Sequence, residues 1–119
     1  MSAVILYVDS DVGSRRTHKL LLESAGYQVL TAETVAEAYR IFSSAPTPDL
    51  VIAEYHVVED ANGIKLAAQL KSVRPELPVL LLSATEEPAG LEHVEAFVHK
   101  LEGPTVFLDK VQQLLKLRM

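Results

Sequence analysis

Four strand-like segments in this chain each lead into a residue with chemistry to offer: Asp9, Glu54, Ser83 and Lys100. Two carboxylates, a hydroxyl and an ammonium are the groups that acid–base, cation-binding and charge-stabilising chemistry draws on. The runs before them are Val4 to Val8, Leu50 to Ala53, Val79 to Leu82 and Val94 to His99. In an open parallel sheet, ligands bind outside the carboxyl ends of the strands, where strand order reverses. Polar groups at those ends therefore converge on one pocket. Ser10 and Asp11 follow Asp9 directly and belong to the same candidate pocket.

The elements that must position these groups alternate. A first strand near Val4 to Val8 is continuously apolar, as a strand covered on both faces should be. A helix follows from about Val12 to Ala25, with Leu20, Leu21 and Leu22 on its buried side and Gly26 as its left-handed stop. Tyr27 to Thr31 reads as a second strand, and Thr34 with Glu37 forms a capping-box pattern for a helix running to about Ser44. The segment Ala45-Pro46-Thr47-Pro48 is a loop. A third strand spans Asp49 to Ala53, and Ile64, Leu66, Ala67 and Leu70 mark a helix ending before Pro75. Leu77 to Leu82 is a fourth strand. The stretch from Thr85 to Val94 carries Pro88 and Gly90 and is too short for a full helix. After the fifth strand, Pro104 opens a last helix with Val106, Phe107, Val111, Leu114 and Leu115 as its apolar stripe. Five strand–helix units predict one α/β domain over 1–119, a parallel sheet with helices on both faces.

Composition removes several function classes. A hydrophobic content of 49% supports a packed core, and zero cysteines exclude a disulfide framework and thiolate metal sites. A net charge of −5 argues against direct nucleic-acid binding, which needs a basic face. No apolar run approaches membrane-spanning length and no secretory signal is evident, so the expected setting is cytoplasmic. His18, His56, His93 and His99 lack paired ligand spacing, and Arg15, Arg16 and Lys19 read as a solvated helix face.

Taken in order, the pieces Ile5-Leu6-Tyr7-Val8-Asp9-Ser10-Asp11, Arg15-Arg16, Pro48-Asp49-Leu50-Val51-Ile52-Ala53-Glu54, Asn62-Gly63, Leu77-Pro78-Val79-Leu80-Leu81-Leu82-Ser83-Ala84 and Phe97-Val98-His99-Lys100 resemble the receiver domain of two-component response regulators over nearly the whole chain. The resemblance implies a flavodoxin-like three-layer sandwich of (βα)5 type with strand order 2-1-3-4-5 and a shortened fourth helix. It implies an acidic cluster after the first strand that holds Mg²⁺, and an aspartate ending the third strand that accepts a phosphoryl group. It further implies a hydroxyl and a lysine that bind the phosphoryl oxygens, and an aromatic switch position, filled here by Phe97.

The chain departs from that pattern where the chemistry sits. Glu54 replaces the phosphoacceptor aspartate, Ser10 stands where the family usually has a second aspartate, and Leu101 replaces the proline after Lys100. The loop from Glu54 to Gly63 is one residue longer than the family's D-x-x-M-P-x-M-D-G. An extra methylene carries the Glu54 carboxylate about 1.5 Å further, and about 1 Å of misplacement can cost about 100-fold in an in-line attack. The longer carboxylate can instead reach Lys100 and partly imitate a phosphorylated aspartate. Mg²⁺ would be held weakly at most, by Asp9, Asp11 and Glu54. The expectation is a pseudo-receiver, not an enzyme, that works by protein–protein contact with a histidine kinase or downstream effector. A homodimer is one arrangement left open. Two alternatives stand beside it: an active Mg²⁺-dependent phosphoacceptor using Glu59 or Asp60, and a flavin- or nucleotide-binding protein, which would lack a G-x-G-x-x-G fingerprint.

Overall fold

The computed structural model describes residues 2–44, 46–56, 63–85 and 91–116. Five strands, β1 (Val4–Val8), β2 (Gln28–Ala32), β3 (Leu50–Glu54), β4 (Val79–Ser83) and β5 (Ala96–His99), form one parallel sheet in the order β2-β1-β3-β4-β5. Four helices connect or follow them: α1 (Val12–Ser24), α2 (Val35–Phe42), α3 (Gly63–Val73) and α4 (Pro104–Lys116). This is the flavodoxin-like arrangement with helices on both faces.

Side-chain alternation divides the core in two. From β1, Leu6 and Val8 face one side with Val51, Ala53 and Val79, packed against Ala38 and Phe42 of α2 and Leu66, Ala67 and Leu70 of α3. Ile5 and Tyr7 face the other side with Ile52, Leu80 and Leu82, packed against Leu22 of α1 and Phe107, Val111 and Leu114 of α4. β1, β3 and β4 are buried at every position, which is why they read as unbroken apolar runs. The edge strands β2 and β5 keep partly exposed positions.

Several boundaries shift from the sequence expectation. β2 begins at Gln28 because the Tyr27 amide is still bonded to Leu22 O of α1, and register pairs Gln28 with Val4. β3 starts and ends one residue later, at Leu50 and Glu54. Asp49 stays outside the strand as a brace, its carboxylate accepting from Val4 N at 2.8 Å. β5 is shorter than Val94 to His99, since the Val94 amide closes a turn on Leu91 O. Leu20 is 69% exposed, and Leu22 is the fully buried residue of α1. Three consecutive residues are spread over more than half the helix circumference, so they cannot share one face. Thr34 caps α2 as expected, but Glu37 reaches one residue further back than a capping box, to Glu33 N. The expected short helix between β4 and β5 falls partly on 86–90, outside the described residues. Residues 91–95 are turn and irregular chain.

One glycine is fixed by close approach. A Cβ on Gly63 would lie 2.7 Å from Glu54 O and 2.7 Å from Leu81 Cδ1, so α3 starts directly against the end of β3. Gly63→Ala is expected to cost about 1–3 kcal/mol by forcing that junction apart. Gly13→Ala, whose methyl meets nothing closer than 3.5 Å, is expected to leave stability unchanged or raise it. Urea unfolding of both variants checks the pair.

Candidate functional site

The register places the predicted residues side by side. Val8 pairs with Ala53, Glu54 with Leu82, and Ser83 with His99, so the ends of β1, β3, β4 and β5 meet at one rim. Asp9 follows β1, Glu54 and Ser83 are the last residues of β3 and β4, and Lys100 follows β5. Lys100 opens a short 3₁₀ turn, Lys100–Glu102. His99 Nδ1 accepts from Leu101 N at 3.0 Å and Glu102 Oε1 accepts from His99 N at 3.0 Å, which holds the lysine without the usual proline.

Lys100 is the hub. Its Nζ lies 2.9 Å from Glu54 Oε2, donates to Ser14 Oγ at 3.0 Å, and reaches Asp9 Oδ2 at 3.4 Å. The longer Glu54 side chain thus meets the lysine directly. Glu54 is 5% exposed. Its Oε1 accepts from His56 N at 3.2 Å, while Oε2 meets the ammonium as an ion pair off the hydrogen-bonding direction and has no hydrogen-bond partner among the described residues. Burial disfavours the Lys100 ammonium, yet the Glu54 and Asp9 carboxylates outweigh it and hold its pKa above the ordinary lysine value. Burial likewise pushes the Asp9 carboxyl up. The Ser14 hydroxyl, the Asp11 amide, the Tyr7 hydroxyl and the Lys100 charge overcome this and hold its pKa below the usual carboxylate value. Both groups are therefore charged at neutral pH.

The other predicted residues divide. Ser83 is fully buried, but its hydroxyl is engaged within its own turn, 2.9 Å from Thr85 Oγ1 and accepting from Thr85 N at 3.1 Å. Asp11 is exposed and caps α1, accepting from Ser14 N at 2.7 Å. Ser10 and Phe97 are half-buried. Glu59 and Asp60 lie outside the described residues. Arg15 departs from its expected solvated position: its guanidinium donates to Asp9 O at 2.9 Å and pairs with Glu33 at 3.7 Å, tying α1 to the ends of β1 and β2.

Sequence reasoning passes over Tyr7 and Ser14 and reads His18 only for metal-ligand spacing. The Tyr7 hydroxyl donates to Asp9 Oδ2 at 2.8 Å and lies 3.0 Å from His18 Nδ1, and its own ionisation is pushed far upward by burial and by the Asp9 charge. Two periodicities carried the signal. Residues i and i+2 of β1 share a face, and residues i and i+4 of α1 share another.

The donor set does not fit Mg²⁺. Asp9 Oδ1 accepts from Asp11 N at 3.0 Å and Oδ2 is shared by Tyr7 and Lys100. The Asp11 carboxylate is the helix cap, position 10 carries no carboxylate, and Glu54 Oε2 faces an ammonium. Among the described residues no group of three His, Cys, Asp or Glu side chains could hold a metal ion. A small hard cation that prefers octahedral oxygen ligands finds these carboxylates already engaged.

Known proteins resemble this chain in sequence and in fold. The transcriptional regulatory protein GlrR of Escherichia coli K12 is 38% identical over 82 residues, 69% of this chain and 18% of GlrR. The phosphate regulon transcriptional regulatory protein PhoB of Pseudomonas aeruginosa is 32% identical over 119 residues, 94% of this chain and 51% of PhoB. The chain therefore spans about a fifth to a half of the curated relatives it matches. The crystal structure of the response regulator TrrA from Thermotoga maritima, in complex with Mg(2+)-BeF, superposes with a TM-score of 0.86 at 26% identity, covering 94% of this chain and 98% of TrrA. The family model of the response regulator receiver domain matches residues 5–112. Sequence match and strand order agree, and the chain belongs to the response regulator receiver domain family.

Proposed function

We propose that this receiver is a two-component signalling module whose output does not depend on aspartyl phosphorylation. The observation that carries the reading is the buried Glu54 carboxylate 2.9 Å from Lys100, a negative charge already resident where the family forms one by phosphoryl transfer. The engaged oxygens of Asp9, the capping role of Asp11 and the missing carboxylate at position 10 support it, because they leave little for a catalytic cation. The module is a binding partner and not an enzyme. It acts in the cytoplasm on a histidine kinase or a downstream effector of the same pathway. Among the described residues no helix is long and apolar enough to cross a membrane.

Intact-mass measurement after incubation with Mg²⁺ and acetyl phosphate tests the reading. The native chain is expected to stay unmodified, while a variant carrying both Ser10→Asp and Glu54→Asp gains one phosphoryl group. An adduct on the native chain would return the domain to the working phosphoacceptors.

The closed pair also has a stability signature. Lys100→Met leaves the Glu54 carboxylate buried and unpaired and is expected to cost about 2–4 kcal/mol, whereas Lys100→Met with Glu54→Leu recovers most of that loss. Because the folded pKa of Lys100 is raised, its contribution is complete below the unfolded value of about 10.4 and is lost as pH rises through the folded value. Wild-type protein is thus expected to lose stability more steeply than Lys100→Met on the alkaline side, read from urea midpoints at successive pH values.

A further inference from the structure

Three side chains outside the pocket reach it from beneath. Tyr7 and Asp9 are two residues apart, so both point to the α1 side of the sheet. Ser14 and His18 are one helical turn apart on α1. The His18 ring stacks on Tyr7 with centroids 5.2 Å apart and planes at 18°, and meets Phe107 of α4 edge-on at 5.2 Å. Beside it lies a groove between α1 and α4, lined by Thr17, His18, Leu21, Pro104 and Phe107, and by Lys100 itself.

Hydrogen-bond direction in this cluster follows from one contact. His18 Nδ1 is 2.8 Å from the Ser14 carbonyl, and a carbonyl only accepts, so Nδ1 carries the proton. That one proton is shared: the Ser14 carbonyl is the nearer acceptor, and the Tyr7 oxygen, 3.0 Å from the same nitrogen, is the second acceptor of a three-centre hydrogen bond, with Ser14 Oγ at 3.3 Å. The single Tyr7 proton is then left for Asp9 Oδ2, 2.8 Å away. Asp9 Oδ2 is also the oxygen that reaches Lys100. The direction does not reverse if the imidazole gains a proton, because Nδ1 is protonated in either form. His18 Nε2 makes no hydrogen bond among the described residues, so the groove end of the chain is open.

We propose that His18 is a positioning residue for the pocket: from the α1–α4 groove it commits the Tyr7 proton to Asp9 and so orients the carboxylate that shares Lys100 with Glu54. The hydrogen-bond chain runs from His18 through Tyr7 to Asp9, beside a groove whose lining Lys100 shares. Its signalling weight rests on the pocket reading proposed above, while the chain's geometry stands without it.

The test is the hydroxyl proton of Tyr7, observed by NMR in tyrosine-labelled protein and assigned by its disappearance in Tyr7→Phe. Wild type is expected to give a resolved signal in slow exchange with water, and His18→Phe to exchange about three- to tenfold faster, the weight of one hydrogen bond. His18→Asn places an amide donor where Nδ1 was and is expected to restore the rate to within about twofold, with the Asp9 ¹³Cγ resonance following the same order. Should the phenylalanine ring not be accommodated, His18→Leu removes the donor with less bulk and is read the same way. The proposal is overturned if wild type shows no resolved Tyr7 hydroxyl, if His18→Phe exchanges like wild type, or if His18→Asn exchanges as fast as His18→Phe, which would make the ring a packing element only. A phosphoryl adduct on the native chain would remove the closed-pocket reading and leave these rates untouched.

Discussion

A carboxylate that is 5% exposed has to be paired, and the rim of this sheet is organised around that requirement. Glu54 is carried inward as the last residue of β3, flanked by β1 and β4, with α3 starting so close that only glycine fits at position 63. Lys100 is brought to it from β5 by a short turn, and Asp9 from β1 supplies a second carboxylate. With two negative charges and one ammonium the cluster is net acidic. The neutral donors around it, the Ser14 and Tyr7 hydroxyls and the Asp11 amide, are what make a depressed Asp9 pKa compatible with its burial. Removing any one of these leaves a buried charge less well served, which matters more than the modest net worth of the pairs themselves.

The same interaction explains how one methylene changes the character of a receiver pocket. A shorter acid at position 54 would leave a gap before Lys100 for an incoming oxyanion to fill. Here the glutamate carboxylate itself meets Lys100, Ser83 is bonded to Thr85, Asp11 caps a helix, and Asp9 is held by a tyrosine. The domain keeps the fold of its family.

Much of this was legible in the residues. Continuous apolar runs locate β1, β3 and β4, because strands buried on both faces admit little else, and their ends are Asp9, Glu54 and Ser83, while Lys100 follows the partly exposed edge strand β5. Less legible were contacts that depend on direction. Tyr7 sat inside an apolar run and was absorbed into it, although its hydroxyl needs a partner when buried. His18 was weighed only as a metal ligand. Arg15 looked solvated because a helix face cannot be told from sequence to lie over the neighbouring strand ends, and Leu20 looked buried beside two leucines that do face the sheet. Ser83 was placed correctly in space, but which way its hydroxyl turns is decided by Thr85 two residues on.

The attachment of α1 is lopsided. Its cap Asp11, the anchor Arg15 and the Ser14–His18 pair all act within its first two turns, whereas the second half offers Leu22 as its fully buried side chain before Gly26 releases the chain. The two halves of α1 are thus held by different forces: directional hydrogen bonds to the strand ends in the first, and burial of Leu22 with partly buried Leu21, closed by the Tyr27 amide on Leu22 O, in the second.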